Sequence, residues 1–227
     1  MRKRIQISGR IASLRSNGEY EKVMPFINFS KDEIQCKIVY YGSRFCGKTT
    51  NLQYIHNQID QRIRGKMVSV NTPWDRTLFF DFLSLSLGKI RGFDIRVQLY
   101  TVPGHVHYDA TRRLVLKGVD GIVFVADSLK VQRRKNTESL VNLAKHLAEK
   151  GMCIRTIPLV VQYNKQDLQA TVTEILSIEV LEKDLNAMLR VPSFSASALK
   201  GEGVFETLRE ICKLVVKNVS GKTMLGK

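Results

Sequence analysis

Residues 42–49 read Gly-Ser-Arg-Phe-Cys-Gly-Lys-Thr, a match to G-x-x-x-x-G-K-[ST]. The run sits between a β-rich stretch, "IQCKIVYYG", and "KTTNLQYIHNQI", where Leu52, Ile55 and Ile59 recur at helical spacing. A glycine loop that joins a strand to a helix turns backbone N–H groups and a helix N-terminus toward phosphate oxygens. The candidate phosphate contacts are therefore Gly42, Ser43, Arg44, Phe45, Cys46, Gly47, Lys48, Thr49 and Thr50. Lys48 is placed to reach the β- and γ-phosphates, and the Thr49 hydroxyl is a candidate magnesium ligand. A chance glycine turn before a helix is the plain alternative.

The rest of the chain supplies the sheet this loop needs. "GIVFVAD" (121–127) and "IPLVVQYNK" (157–165) are continuous β-branched runs, as expected of strands buried on both faces of a parallel sheet. "TLFFDFLSL" and "FDIRVQLY" (93–100), separated by "GKIRG", predict an antiparallel hairpin with Phe93, Ile95, Val97 and Leu99 on one face. "NTESLVNLAKHLAEKG" carries Leu140, Leu143, Ala144 and Leu147 on one stripe and ends at Gly151. Residues 173–189 predict a helical region, "PSFSAS" a short last strand, and "GVFETLREICKLVVKNV" a closing amphipathic helix. Strands alternating with helices predict an α/β fold with a doubly wound, mostly parallel sheet. Ligands then bind at the carboxyl ends of its strands.

A chain of 227 residues suits one cored domain, placed over 24–220. Before it lies a basic, polar extension over 1–23, expected to be flexible, and after it a short tail over 221–227. Met24 opens "MPFINFS" and is an alternative natural start. The apolar runs are far too short to span a membrane. Cys36, Cys46, Cys153 and Cys212 form no CxxC pair, which argues against a zinc site or disulfide framework and for a reducing cytoplasm. The net charge of +15 predicts attraction to polyanions, including peripheral contact with an anionic membrane, for which Ile5, Ile7, Ile11 and Leu14 could form a short surface helix. No interleaving of aromatic and basic residues marks an RNA-binding face, so no specific nucleic acid is expected.

"NKQD" (164–167) closes a predicted buried strand about 115 residues after the phosphate loop. The Asp167 carboxylate can accept from the N1–H and exocyclic amine of guanine, a donor pair that adenine lacks. Asn164 can hold both base and loop, and the Lys165 stem can cover the base face. In a lysine-rich chain the same four residues also suit an ordinary turn.

With these motifs the sequence resembles a small Ras-like GTPase, and within that superfamily the bacterial MglA type, the GTPases of gliding motility and cell polarity. The stretches that carry the likeness are "INFSKDEIQCKIVYYG", "CGKTTNL", "DRTLFFDFL", "LYTVPG", "GVDGIVFVADS", "NKQDL" and "GEGVFETL". The resemblance implies a magnesium-dependent switch that binds GTP and GDP and recruits polarity effectors when GTP-bound. It implies a roadblock-fold, MglB-type homodimeric partner that accelerates hydrolysis, and a switch protein that is monomeric alone. It also implies a cytoplasmic protein that gathers in polar clusters at the inner face of the membrane.

By position, Thr77 matches the first-switch threonine that completes magnesium coordination, and Arg76 matches an intrinsic arginine finger. Gly104 in "TVPG" matches the second-switch glycine, and Ser197 and Ala198 match the last guanine-side element. Thr101 stands where the wider superfamily has a magnesium-anchoring aspartate, a feature the MglA type shares, and Asp81 is a candidate for the missing acid. His105 replaces the water-positioning glutamine, a task open to a neutral imidazole. The catalytic candidates are thus Arg76, His105 and Lys48. The other histidines, His56, His107 and His146, are taken as surface or packing residues.

Arg44 stands where the family has glycine. It can slow hydrolysis by crowding, project into solvent without effect, or stabilise the γ-phosphate in cis. If the loop needs positive φ at residue 44, arginine is also strained. Two readings from other classes compete with a turning-over switch. One is a GTP-bound scaffold that hardly hydrolyses, and the other is a nucleic-acid-associated GTPase.

Overall fold

The structure, a computed structural model, describes residues 26–28, 32–72, 75–90, 92–104, 108–170 and 174–224; at 26–28, 70–72, 75–79, 170 and 220–224 it describes the backbone alone. The expected extension over 1–23, His105 and His107 lie outside these residues.

Among the described residues six hydrophobic runs become strands where the pattern predicts them, and two further strands, the first and the third, are not read from the pattern. The strands are β1 (Phe26–Asn28), β2 (Glu33–Tyr41), β3 (Val68–Thr72), β4 (Asp75–Ile90), β5 (Phe93–Thr101), β6 (Gly121–Asp127), β7 (Leu159–Asn164) and β8 (Ser193–Ser195). Seven lie in the order β3-β4-β5-β2-β6-β7-β8, and β1 adds to the start of β2. β2 pairs in parallel with β5 and β6, and β6–β7 and β7–β8 are also parallel. The β4–β5 hairpin is antiparallel as expected, with a register shift between Ser86 and Lys89, around Gly88 at φ 82°. A left-handed glycine at a bulge lets the long strand bend without breaking the ladder.

Among the described residues five α-helices flank the sheet: α1 (Lys48–Gln58), α2 (Asp109–Val115), α3 (Arg133–Ala148), α4 (Ile178–Leu181) and α5 (Val204–Met224). Alternation along the central strands sends Val39, Tyr41, Ile122 and Phe124 to one core with Leu140, Leu143 and Leu147 of α3. Ile38, Tyr40, Val123 and Val125 go to the other, with Leu52 and Ile55 of α1 and Val204, Leu208 and Ile211 of α5. β6 and β7 are therefore buried on both faces, which is why they read as unbroken apolar runs.

Within the helical region expected over 173–189, α4 runs directly into a π-turn over Glu182–Asn186. The Asn186 side chain closes that turn, accepting from Val191 N at 3.0 Å and donating to Val191 O at 2.9 Å and Glu182 at 2.8 Å. The tail expected over 221–227 is helical through Met224, because extending a nucleated helix costs little per residue.

Candidate functional site

The phosphate loop spans the gap between β2, which ends at Tyr41, and α1, which begins at Lys48. Gly47 has φ 103°, and a Cβ there would fall 2.0 Å from Asn164 Nδ2, so both torsion and space require glycine. That Asn164 amide donates to Cys46 O at 2.7 Å, while its Oδ1 accepts from Ala198 N at 2.8 Å. One buried side chain thus joins the phosphate loop to the guanine-side element, bringing together residues 118 and 34 positions apart. Lys48 Nζ is buried and donates to Gly42 O at 3.1 Å and Ser43 O at 2.7 Å. Burial pushes the Cys46 thiol up against the pull of Lys48, so it packs as a protonated apolar group.

On the base side, Lys165 takes a left-handed backbone at φ 73° and donates from Nζ to Asp127 Oδ2 at 2.6 Å. Asp127 is fully buried, and its other carboxylate oxygen accepts from Leu129 N at 3.0 Å. Asp167 is the second residue of a 3-10 turn over Gln166–Ala170, which follows Lys165 directly. Ser197 is buried, its hydroxyl accepting from Lys200 N at 3.2 Å.

Beside the loop, Thr49 Oγ1 donates to Asp81 Oδ2 at 2.6 Å, and Thr101 Oγ1 donates to the same oxygen at 2.8 Å. Ser69 Oγ donates to Asp81 Oδ1 at 2.8 Å, and Asp81 N donates to Thr101 Oγ1 at 2.8 Å. Asp81 is 2% exposed. A carboxylate and a hydroxyl next to a phosphate loop make an all-oxygen donor set, which fits a hard divalent ion such as magnesium. Among the described residues no three His, Cys, Asp or Glu side chains gather into a self-sufficient metal cage. A metal here would share its coordination with ligand oxygens.

The model of the ADP-ribosylation factor family matches residues 22–215. The chain belongs to that family of small GTPases. It is 56% identical over 193 residues to the mutual gliding-motility protein MglA of Myxococcus xanthus, covering 85% of this chain and 96% of that one. It is 26% identical over 194 residues to ADP-ribosylation factor-related protein 1 of Homo sapiens and of Pongo abelii, 84% of this chain and 89% of each of those. The MglA-type character read from the motifs therefore extends over most of the chain. The protein is a GTPase, binding and hydrolysing guanine nucleotide as the family does.

Not every candidate of this GTPase meets the loop. Gly104 does: a Cβ there would fall 2.4 Å from Arg44 Cα and 2.6 Å from Arg44 N, so Gly104 rests on the loop backbone. Arg44 is exposed, with its guanidinium 4.4 Å from the Phe45 ring centroid. The left-handed non-glycine residue of the loop is Phe45, at φ 63°, and not Arg44, so the strain considered for arginine falls on its neighbour. Thr50 lies on α1, partly exposed. Arg76 and Thr77 lie in β4, five and four residues before Asp81. At about 3.3 Å per residue Thr77 is roughly 13 Å of strand from Asp81.

Sequence reading missed several residues that shape the site. Asn136 on α3 accepts from Asp127 N at 3.1 Å and donates to Asp127 O at 2.7 Å, fixing the strand end beneath Lys165. His146, read as a packing residue, lies between Tyr41 O–H (3.1 Å) and Asp109 Oδ1 (2.8 Å) and so ties the start of α2 to the strand before the loop. A buried polar side chain in an otherwise apolar helix stripe was the only signal for either.

Proposed function

We propose that this GTPase is a molecular switch for cell polarity and gliding or surface motility, cycling between GTP and GDP and recruiting partners in one state. The observation that carries it is the Asn164 clasp, one side chain holding both the loop that would grip phosphate and the loop that would frame guanine. Identity of 56% to a gliding-motility protein supports the cellular role. A roadblock-fold, MglB-type dimer is the expected activator, with polarity effectors as downstream partners. The protein would work in the cytoplasm, in polar clusters at the membrane's inner face. No helix among the described residues is long and apolar enough to cross a membrane.

In this reading Asp167 accepts from the guanine edge, with Asn164, Lys165, Ser197 and Ala198 framing the base. Backbone N–H groups of Gly42–Thr50 hold the phosphates, and Gly104 N–H meets the γ-phosphate. Magnesium, bound with the nucleotide, supplies neutralisation of phosphoryl charge. Thr49 and Asp81 would hold it, and Thr77, about 13 Å of strand away, would join them only after that segment moves toward the loop. Water attacks the γ-phosphorus in line as the bond to the β-phosphate oxygen breaks. His105 orients that water, and Lys48 and Arg76 offset charge on the transferred group. Loss of phosphate then releases both switch segments.

The test is nucleotide content after purification together with GTP turnover, with and without a roadblock-fold partner from the same organism. Mostly bound GDP and partner-stimulated turnover are expected. Mostly bound GTP with no turnover would replace the switch with a scaffold.

A further inference from the structure

The buried interface between α1, β7 and α5 holds three polar residues in a cluster that is otherwise apolar: Asn51, Gln162 and Thr207, all with no solvent exposure. Their side chains satisfy one another. Asn51 Nδ2 donates to Gln162 Oε1 at 2.8 Å, and Gln162 Nε2 donates back to Asn51 Oδ1 at 3.0 Å. Gln162 Nε2 also donates to Thr207 Oγ1 at 3.1 Å, whose hydroxyl donates to Gly203 O at 2.6 Å. At the other end Asn51 Nδ2 donates to Gly47 O at 2.9 Å. The chain of bonds therefore begins on the phosphate loop and ends on the loop after Ala198.

Burying three polar side chains gains little stability over apolar ones of the same shape, because each bond made replaces a bond to water. What a fully satisfied network does provide is fixed direction and spacing. Here both ends matter. Asn164 holds Cys46 O and Asn51 holds Gly47 O, so two successive loop carbonyls are fixed from behind. A trans peptide unit is planar with its N–H opposite its C=O. Pinning Cys46 O thus sets the aim of Gly47 N–H, and pinning Gly47 O sets the aim of Lys48 N–H. On the base side the same two braces hold Ala198 N and Gly203 O, the two ends of one loop.

We propose that Asn51, Gln162 and Thr207 are positioning residues that lock the distance and aim between the phosphate loop and the guanine-side loop, and thereby slow nucleotide release. The inference rests on the reading of these loops as the nucleotide site. It makes Gln162, two residues before Asn164, a second and parallel brace to Asn164 itself.

The test compares the dissociation rate of a fluorescent GDP analogue with thermal stability. Gln162→Met leaves the Asn51 amide short of partners and should lower stability and speed release. The double variant Asn51→Leu/Gln162→Met replaces both polar partners with apolar groups and should recover most of the stability. Release should nonetheless stay about tenfold faster than wild type. A stable double variant that releases GDP within twofold of wild type would overturn the proposal. Should the double variant not fold, Thr207 decides. Thr207→Ser keeps the hydroxyl and should behave as wild type, while Thr207→Val should release faster; equal rates for the two overturn the brace. Lys48→Ala is the control. If it retains nucleotide normally, the site reading itself fails, and the brace with it. If it loses nucleotide while the brace variants are unchanged, the brace alone fails.

Discussion

The guanidinium of Arg44 lies 4.4 Å from the centroid of the Phe45 ring, and within this pair the backbone strain belongs to the phenylalanine, at φ 63°. A left-handed torsion costs a residue with a Cβ about 1–2 kcal/mol, and Phe45, 70% exposed, recovers little of that by burial. Asparagine tolerates this torsion with less unfolded-state entropy than glycine. Phe45→Asn should therefore raise stability by about 0.5–1 kcal/mol, whereas Arg44→Gly relieves nothing and should lower it slightly. Urea unfolding of both variants checks this, and a larger gain from Arg44→Gly would refute it.

Arg44 also bears on turnover. A crowding side chain would have to lie over the reacting phosphate, yet this one is exposed and its guanidinium lies over the Phe45 ring. Single-turnover hydrolysis by Arg44→Gly should then stay within about threefold of wild type. A glycine variant many times faster, with or without the activating partner, would restore the crowding reading.

How much of this was legible beforehand depended on whether the residues lie together in the chain. The phosphate loop and "NKQD" are contiguous, each needs its residue types in order, and both fall at strand ends that β-branched runs announce. The Asn164 clasp followed from the type of residue at that spot. Asp81 could be named only as a candidate, because its bond to Thr49 joins residues 32 apart across β4 and α1. Torsions at single loop residues leave no trace in composition, so strain was considered at Arg44 and found at Phe45. Gln162 was hidden differently. It sits inside a β-branched run, where one polar residue looks like an interruption until its partners on α1 and α5 are known.

Asp81 carries a definite expectation. Thr49 and Thr101 both donate to its Oδ2, so an amide oxygen could keep that packing while losing the charge. Asp81→Asn should fold normally and hold GDP in the presence of a chelator as wild type does. The magnesium concentration that half-maximally retains GDP should rise by about 10–100-fold, the usual cost of disturbing a supporting carboxylate. A magnesium titration of fluorescent-GDP release measures it, and an unchanged midpoint would remove Asp81 from the metal's surroundings.

The last prediction concerns acid. His146 is 1% exposed, and burial pushes its pKa down, outweighing the attraction of the Asp109 carboxylate, with Arg112 lowering it further. At neutral pH the ring is uncharged, its Nε2–H donating to Asp109 Oδ1 and its Nδ1 accepting from Tyr41 O–H. Burial pushes the Asp109 carboxyl up, but Arg112, His146 and Arg113 together bring it below its ordinary value, so it stays ionised throughout. As pH falls below about 6.5 the unfolded chain takes up the histidine proton first, so this contribution to stability is full above that pH and declines beneath it. The decline cannot exceed about 1.4 kcal/mol per pH unit and stops where the folded ring also protonates. His146→Gln keeps a donor and an acceptor without titrating. Urea unfolding at pH 7.5 and 5.5 should show wild type losing more stability on acidification than the glutamine variant. Parallel losses would mean that the ring is not held neutral, and that the start of α2 has no acid-sensitive tie to the strand before the phosphate loop.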